Sequence, residues 1–273
     1  MKYCLCASGS KGNCFILQDE GTTLMIDCGS TKGHITHCLK DMGIEVGRIS
    51  GVLITHDHSD HISQIRMVAD RTIFSPVRLK DVKVNEVKPF MNFMIDHLKI
   101  TPLPLSHDAP DTTGYIIEND HEKLVYVTDT GYVNKSLIPY LMDANYIVME
   151  CNHDVGMLMK TSRPYYLKQR ICSDSGHLCN EACGEVLQKI VGPQVRQIIL
   201  AHISQQANTM ELALNTVLPY LKDTTLKDDV QVVAAGQYEM IYGGEDNEET
   251  DCRYDRSAVM LEYRTHGHGH PQR

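Results

Sequence analysis

His56-Asp57-His58-Ser59-Asp60-His61 places three imidazoles and two carboxylates within six consecutive residues. Gly51-Val52-Leu53-Ile54-Thr55 leads into it and reads as a short buried strand that ends where the polar residues begin. Zinc and similar divalent metals take imidazole nitrogen and carboxylate oxygen, and this loop offers both. His56 and His58, two apart on extended backbone, point the same way. Asp60 and His61 lie past a turn, where they can face a second ion. The alternative is a polar loop whose histidines cluster by chance, and an apolar strand running straight into HxHxDH argues against it.

Two ions need more ligands than one loop supplies, so other apolar runs ending in a Lewis base matter. Three exist. His107 follows Ile100-Thr101-Pro102-Leu103-Pro104-Leu105-Ser106, Asp129 follows Leu124-Val125-Tyr126-Val127-Thr128, and His202 follows Ile198-Ile199-Leu200-Ala201. A rigid sheet edge presents ligands on its loops in this way. Any one of them alone would be a weak signal; together with the six-residue cluster they are a strong one.

The order HxHxDH, Ser106-His107, Thr128-Asp129-Thr130-Gly131 and Ala201-His202 resembles the metallo-β-lactamase fold superfamily over residues 1–243. Asp27 in Leu24-Met25-Ile26-Asp27-Cys28-Gly29 matches the family's early strand-end aspartate, which organises the metal loops without binding metal. The resemblance implies an αββα sandwich of two mixed β-sheets flanked by helices. It also implies two divalent ions, zinc, manganese or iron. His56, His58 and His107 would hold one, Asp60, His61 and His202 the other, and Asp129 would bridge them. Ions roughly 3.5–4 Å apart share a hydroxide of near-neutral pKa. Asp60 would also orient or deprotonate the water.

Further motifs are similar to the YycJ/WalJ-like branch of that superfamily. They are Ser8-Gly9-Ser10-Lys11-Gly12-Asn13, Met149-Glu150-Cys151-Asn152-His153-Asp154, Ser175-Gly176-His177-Leu178 and Leu200-Ala201-His202-Ile203-Ser204. Lys11 and Cys179 stand where that branch commonly carries Ser. The branch implies a 5′-to-3′ exonuclease acting on DNA, more distantly related to tRNase Z and RNase J enzymes. With 273 residues the chain lacks room for the β-CASP domain of the RNase J type. A metal-dependent hydrolase of a small carbonyl substrate, a thioester or lactam, is the alternative activity, because one fold hosts many chemistries.

On this reading His177, just before an expected helix, contacts the scissile phosphate or protonates the leaving oxygen; the alternative is a histidine tied to nearby backbone. The segment 160–170 holds four basic residues, no acidic ones and the pair Tyr165-Tyr166. It is either a strand-binding surface or a solvated face. Glu150 and His153 end another apolar run and either face the site or cap a strand. His34, His37, His97 and His121 have no such position and are expected to be structural or exposed.

Composition sets outer bounds. A net charge of −9 argues against a uniformly basic nucleic-acid coat but not against a nuclease, since bound cations invert the local charge. No apolar run reaches membrane-span or signal-peptide length. The ten cysteines lack the spacing of a disulfide framework, so the expectation is reduced thiols in the cytoplasm. Strands are expected at 14–17, 23–27, 97–103, 113–118, 123–128, 145–149 and 195–201, and helices at 33–42, 62–68, 180–191 and 208–221. A closing hairpin is expected from 230–234 and 238–242 around Ala235-Gly236-Gln237. A polar tail fills 244–273, its Gly/His end read as a flexible terminus.

Overall fold

Strand β1 (Lys2–Ala7) shows how this chain builds two hydrophobic layers at once. Successive side chains alternate across a strand, so Tyr3 and Leu5 enter one core while Cys4 and Cys6 enter another. The computed structural model describes residues 1–222, 224–227 and 229–244. The tail expected beyond Gly244, with its acidic run and Gly/His end, lies outside the described residues.

The first half continues with β2 (Cys14–Asp19), β3 (Thr22–Ile26), α1 (Lys32–Asp41), β4 (Gly51–Leu53), α2 (Ser59–Ile62), β5 (Ile73–Ser75) and β6 (Asn85–Glu86). Then come β7 (Phe93–Ile95), β8 (Leu98–Pro104), β9 (Thr113–Glu118), β10 (Lys123–Val127), α3 (Ile138–Leu141) and β11 (Tyr146–Glu150). The rest comprises α4 (Val155–Lys160), α5 (Tyr165–Ile171), α6 (Asn180–Ile190), β12 (Gln197–Ala201), α7 (Met210–Leu221), β13 (Gln231–Ala234) and β14 (Ile241–Gly244).

Two seven-stranded mixed sheets result, ordered β14-β1-β2-β3-β4-β5-β6 and β13-β12-β11-β10-β9-β8-β7. Tyr3, Phe15, Leu24 and Leu53 of the first sheet meet Tyr115, Tyr126, Tyr146 and Ile199 of the second in the central core. Helix α1 covers the outer face of the first sheet through Ile35, Cys38 and Leu39. Helices α6 and α7 cover the outer face of the second through Cys183, Leu187, Leu214 and Val217. These four layers are the αββα sandwich expected from the sequence.

Strands β3 and β4 are parallel, as are β10, β11, β12 and β13. Strand β8 shares the direction of β10 because both are antiparallel to β9. The carboxyl ends of β8, β10, β11 and β12 therefore open at one edge of their sheet, the usual place for a ligand site in such sheets.

Two expected elements differ. The helix expected over 62–68 is a short α2 that begins inside the histidine motif, followed by a 3-10 turn at Ile65–Val68. The Gln64 N–H goes to the Cys28 carbonyl (2.9 Å) and the Ser63 hydroxyl to the Gly29 carbonyl (2.7 Å), which ends the helical ladder. The closing hairpin is a crossover: β13 pairs with β12, whereas β14 pairs with β1 in the other sheet. Gln237 anchors the connection to the loop after β1, accepting from Ser8 N–H on its carbonyl (3.1 Å) and donating from Nε2 to the Gly12 carbonyl (2.9 Å). Helix α7 is capped by Thr209, whose hydroxyl accepts from Leu212 N–H, while Asn208 turns inward to the Cys151 and Asn152 carbonyls.

Candidate metal centre

Each proposed ligand leaves the fold at a strand end or in the loop that follows it. His56 and His58 follow β4, Asp60 and His61 lie on α2, and His107, Asp129 and His202 follow β8, β10 and β12. Asp27, Asp129 and His202 all have positive φ, 56°, 60° and 56°. Each left-handed residue other than glycine costs of order 1 kcal/mol, held here by the packed strands on either side. The turn bends the chain sharply at the strand end and aims the side chain back across the sheet edge.

The sequence-derived ligands meet. His56, His58 and His107 form one group whose donor atoms all lie within 4.8 Å of one another, and Asp60, His61 and His202 form a second. Asp129 joins His56 and His61 in a third group, and Glu150, His177 and His202 in a fourth. Its Oδ2 is 3.4 Å from His61 Nε2, and its Oδ1 is 3.6 Å from His202 Nε2 and 3.9 Å from His107 Nε2.

The outward nitrogens of the histidines are tied down. His61 Nδ1 lies 2.7 Å from Asp27 Oδ2, His107 Nδ1 3.0 Å from the Gly176 carbonyl, and His202 Nδ1 3.0 Å from Glu150 Oε1. Such partners fix the tautomer and leave Nε2 as a lone-pair donor. Asp27 itself accepts from Thr55 N–H (2.9 Å) and Thr55 Oγ1 (2.8 Å), so it locks the start of the histidine loop as well.

These residues fit divalent ions on three counts. His56 Nε2, His202 Nε2 and Asp129 Oδ2 are buried with no hydrogen-bond partner, an arrangement costing about 1–3 kcal/mol per atom unless something else satisfies them. Imidazole and carboxylate make a donor set suited to zinc, manganese or iron. The local field also favours a cation. Burial opposes protonation of His61 and His202, yet Asp27 and Asp129 raise the first to about 9, and Asp129 and Glu150 raise the second to about 9. Burial together with neighbouring His61 pushes His56 down to about 2. Burial would raise Asp129, but His202, His61 and His56 hold it well below the usual carboxylate range.

Close packing protects the geometry. A Cβ on Gly29 would sit 1.6 Å from the Asp60 carbonyl oxygen, so only glycine lets the Asp27 turn lie against the ligand helix. Asn13 Nδ2 reaches within 2.9 Å of His61 Nε2 and 3.4 Å of Asp60 Oδ2, bringing the Ser8–Asn13 loop to the site.

His177 lies at the rim, its Nδ1 2.7 Å from Glu150 Oε1 and 3.8 Å from Asp129 Oδ1. Glu150 is fully buried; burial would raise it, but His177 and His202 bring it down to about 2. It also accepts from Thr130 N–H (2.7 Å), linking His177, His202 and the Asp129 turn. Of the two open alternatives for Glu150, facing the site is the observed one. His153 is buried beside Cys172, Sγ to Nε2 3.7 Å, outside the ligand groups. His34 and His97 serve structure, at the Cys6 carbonyl and at Asp19, and His37 and His121 are exposed. Asp108 escaped sequence reading: its Oδ1 is 3.2 Å from His107 Nε2 and 3.8 Å from His58 Nε2, and its other oxygen pairs with Arg170. Its only sequence signal is adjacency to His107.

Residues 22–203 match the family described as a β-lactamase superfamily domain. The chain is 32% identical over 243 residues to the protein named exodeoxyribonuclease YycJ from Bacillus anthracis, covering 82% of this chain and 90% of that one. It is 32% identical over 241 residues to exodeoxyribonuclease WalJ of Streptococcus pneumoniae, with the same coverage. Among solved structures, the metallo-β-lactamase fold protein YhfI from Bacillus subtilis superposes with a TM-score of 0.67 at 16% identity, over 89% of this chain and 99% of that one. The short form of human tRNase Z gives 0.60 at 16% identity, over 88% and 98%. At such identities the superpositions speak for the fold alone.

Proposed function

This chain belongs to the metallo-β-lactamase superfamily, and on that premise we propose that it is a two-metal phosphodiesterase, a 5′-to-3′ exonuclease acting on DNA. The observation that carries this reading is Asp129, a buried carboxylate whose Oδ1 faces both His107 of the first group (3.9 Å) and His202 of the second (3.6 Å) while Oδ2 faces His61 (3.4 Å). We assign His56, His58 and His107 to one ion, Asp60, His61 and His202 to the other, and Asp129 to both. Zinc, manganese or iron in these places supplies Lewis acidity, activating water and offsetting charge on phosphate oxygens.

The chain's own groups do the rest. Asp60 is partly exposed beside His61 and accepts the proton of the attacking water while orienting it. His177 donates Nδ1–H to Glu150, and in its doubly protonated form it carries a further proton on Nε2 to give to the leaving oxygen. Glu150 keeps that ring in place and is itself fixed by Thr130 N–H. The names of the two curated relatives support DNA as substrate, and the polarity is carried over from the branch resemblance. The nine described cysteines are free thiols, which suits a reducing cytoplasm. Among the described residues no helix is long and apolar enough to cross a membrane.

One end-labelled DNA time course tests the reading, run with chelator and then with zinc, manganese or iron restored. A 5′ label should be released at once as mononucleotide, and chelator should stop the release. Absence of phosphodiester cleavage with all three metals defeats the nuclease reading. Turnover of a thioester or lactam by the same preparation would put the small-carbonyl hydrolase in its place.

A further inference from the structure

The pocket beside the ligand cluster has Arg163 and Arg170 on one wall and His107, His177 and His202 on the other. Arg170 is held by Asp108, whose second oxygen faces the Nε2 atoms of His107 and His58. A carboxylate thus lies between the fork of an arginine and two metal-ligand histidines. A phosphate oxygen approaching the cluster would seek those same partners, because a guanidinium binds carboxylate and phosphate with one geometry. Asp108 thus occupies the place at Arg170 that such an anion would take.

The surroundings suit a strand rather than a lone anion. Tyr165 and Tyr166, at the start of α5, are 68% and 73% exposed, far more than an aromatic ring needs for packing. Lys160, Arg163, Lys168 and Arg170 lie in the same stretch without an acidic residue, in a chain whose net charge is −9. Arg163 Nε donates to Gln206 Oε1 (3.1 Å), which steadies its head at the pocket rim.

We propose that the α4–α5 arm grips a polynucleotide strand: Arg170, released from Asp108, and Arg163 bind phosphates flanking the scissile one, while Tyr165 and Tyr166 stack on bases. This rests on the phosphodiesterase reading above. The rival account makes Arg170–Asp108 a strut that only holds α5 against the His107 loop.

The test measures KM and kcat on a single-stranded oligonucleotide and on bis(p-nitrophenyl) phosphate, a diester with no flanking phosphate or base. Arg170→Gln should raise KM for the oligonucleotide about tenfold and lower the salt slope by about one. Its effect on the small diester should be markedly smaller, and Arg170→Lys should recover part of the loss. Replacing both tyrosines by Ala should raise the oligonucleotide KM by roughly tenfold or more. Asp108→Asn should lower that KM, because the arginine is no longer sequestered. Lys135→Gln, at an exposed lysine outside the 160–170 segment, serves as the control. Equal losses on both substrates, or a KM raised alike by Asp108→Asn and Arg170→Gln, would mean a strut and overturn the proposal. Wild-type protein that cleaves neither substrate overturns the phosphodiesterase reading and this one together; cleavage of both with Arg170→Gln unaffected overturns this one alone.

Discussion

Asp27 Oδ2 lies 2.7 Å from His61 Nδ1, both side chains fully sealed from solvent, and the same carboxylate receives two hydrogen bonds from Thr55. One residue thus fixes the ring of a proposed ligand and the first turn of the loop carrying two others. Asp27→Asn should lose this hold on the ring while keeping the volume. Metal affinity and activity are expected to fall about 10- to 100-fold, as for other partners of metal-bound histidines. Metal titration followed by isothermal calorimetry checks this, and unchanged affinity would show that the histidine needs no partner.

Among the described residues, Asp129 is the carboxylate that reaches both histidine groups. Asp129→Ala should abolish turnover and reduce the bound metal from two equivalents to one or none. Elemental analysis alongside the end-labelled assay gives both readings. Retained turnover would mean that the bridging assignment is wrong. His202→Ala should also lose activity, whereas a non-catalytic metal-binding regulator would tolerate it.

The candidate ligands stand out in the sequence because each one ends or follows an apolar run, so local sequence alone marks where rigid strands stop. Convergence of the four chain segments that carry them is not legible from spacing and is what the resemblance implies. Asp27 can be placed at a strand end but not in a left-handed turn, since Asp adopts that conformation in several turns of this chain, at Asp81, Asp96, Asp111 and Asp143, and nothing local marks which aspartate will. The Ala235-Gly236-Gln237 turn has the local chemistry of a hairpin. Its contacts with the distant Ser8–Gly12 loop, through Gln237, and the pairing of β14 with β1 are long-range and leave no local signal. Asp108–Arg170 is a pair 62 residues apart in number, and no single sequence encodes which charges meet.

His177 offers a way to separate chemistry from metal binding. Its Nδ1 is held by Glu150, and its ring lies outside the seven assigned ligands. His177→Gln should leave two metal equivalents bound but lower kcat on DNA by about 10²-fold or more, the usual range for a lost general acid. A substrate with a p-nitrophenolate leaving group needs no proton and should lose much less. Equal losses on both substrates would remove the proton-donor role.

Asp19 reports on stability away from the site. Burial would raise its pKa, but hydrogen bonds from Asn119 Nδ2 (2.7 Å) and His97 Nε2 (2.8 Å) bring it below the ordinary value of 3.8. A carboxyl depressed on folding stabilises the folded state above its unfolded pKa and loses that effect as pH falls through the folded value. Asp19→Asn should therefore be less stable than wild type at neutral pH, and the gap should close below about pH 3.8. Urea midpoints at several pH values measure the gap; one that stays constant with pH would contradict the assignment.

Tyr115 connects the central core to the histidine loop. Its ring is fully buried between the sheets, and its hydroxyl donates to the Ile54 carbonyl at 2.6 Å, two residues before His56. Tyr115→Phe keeps the ring and leaves that buried carbonyl without its donor. The expected cost is about 1–3 kcal/mol of stability, since an orphaned buried acceptor pays its full desolvation. Because the slackened carbonyl belongs to the residue leading into Thr55 and His56, metal affinity should weaken alongside stability. Tyr115→Leu removes the ring as well and should cost more in stability through the cavity it leaves. Urea denaturation and zinc titration on the two variants distinguish these effects. Weakened metal binding only in Tyr115→Leu would locate the influence in packing rather than in the hydrogen bond.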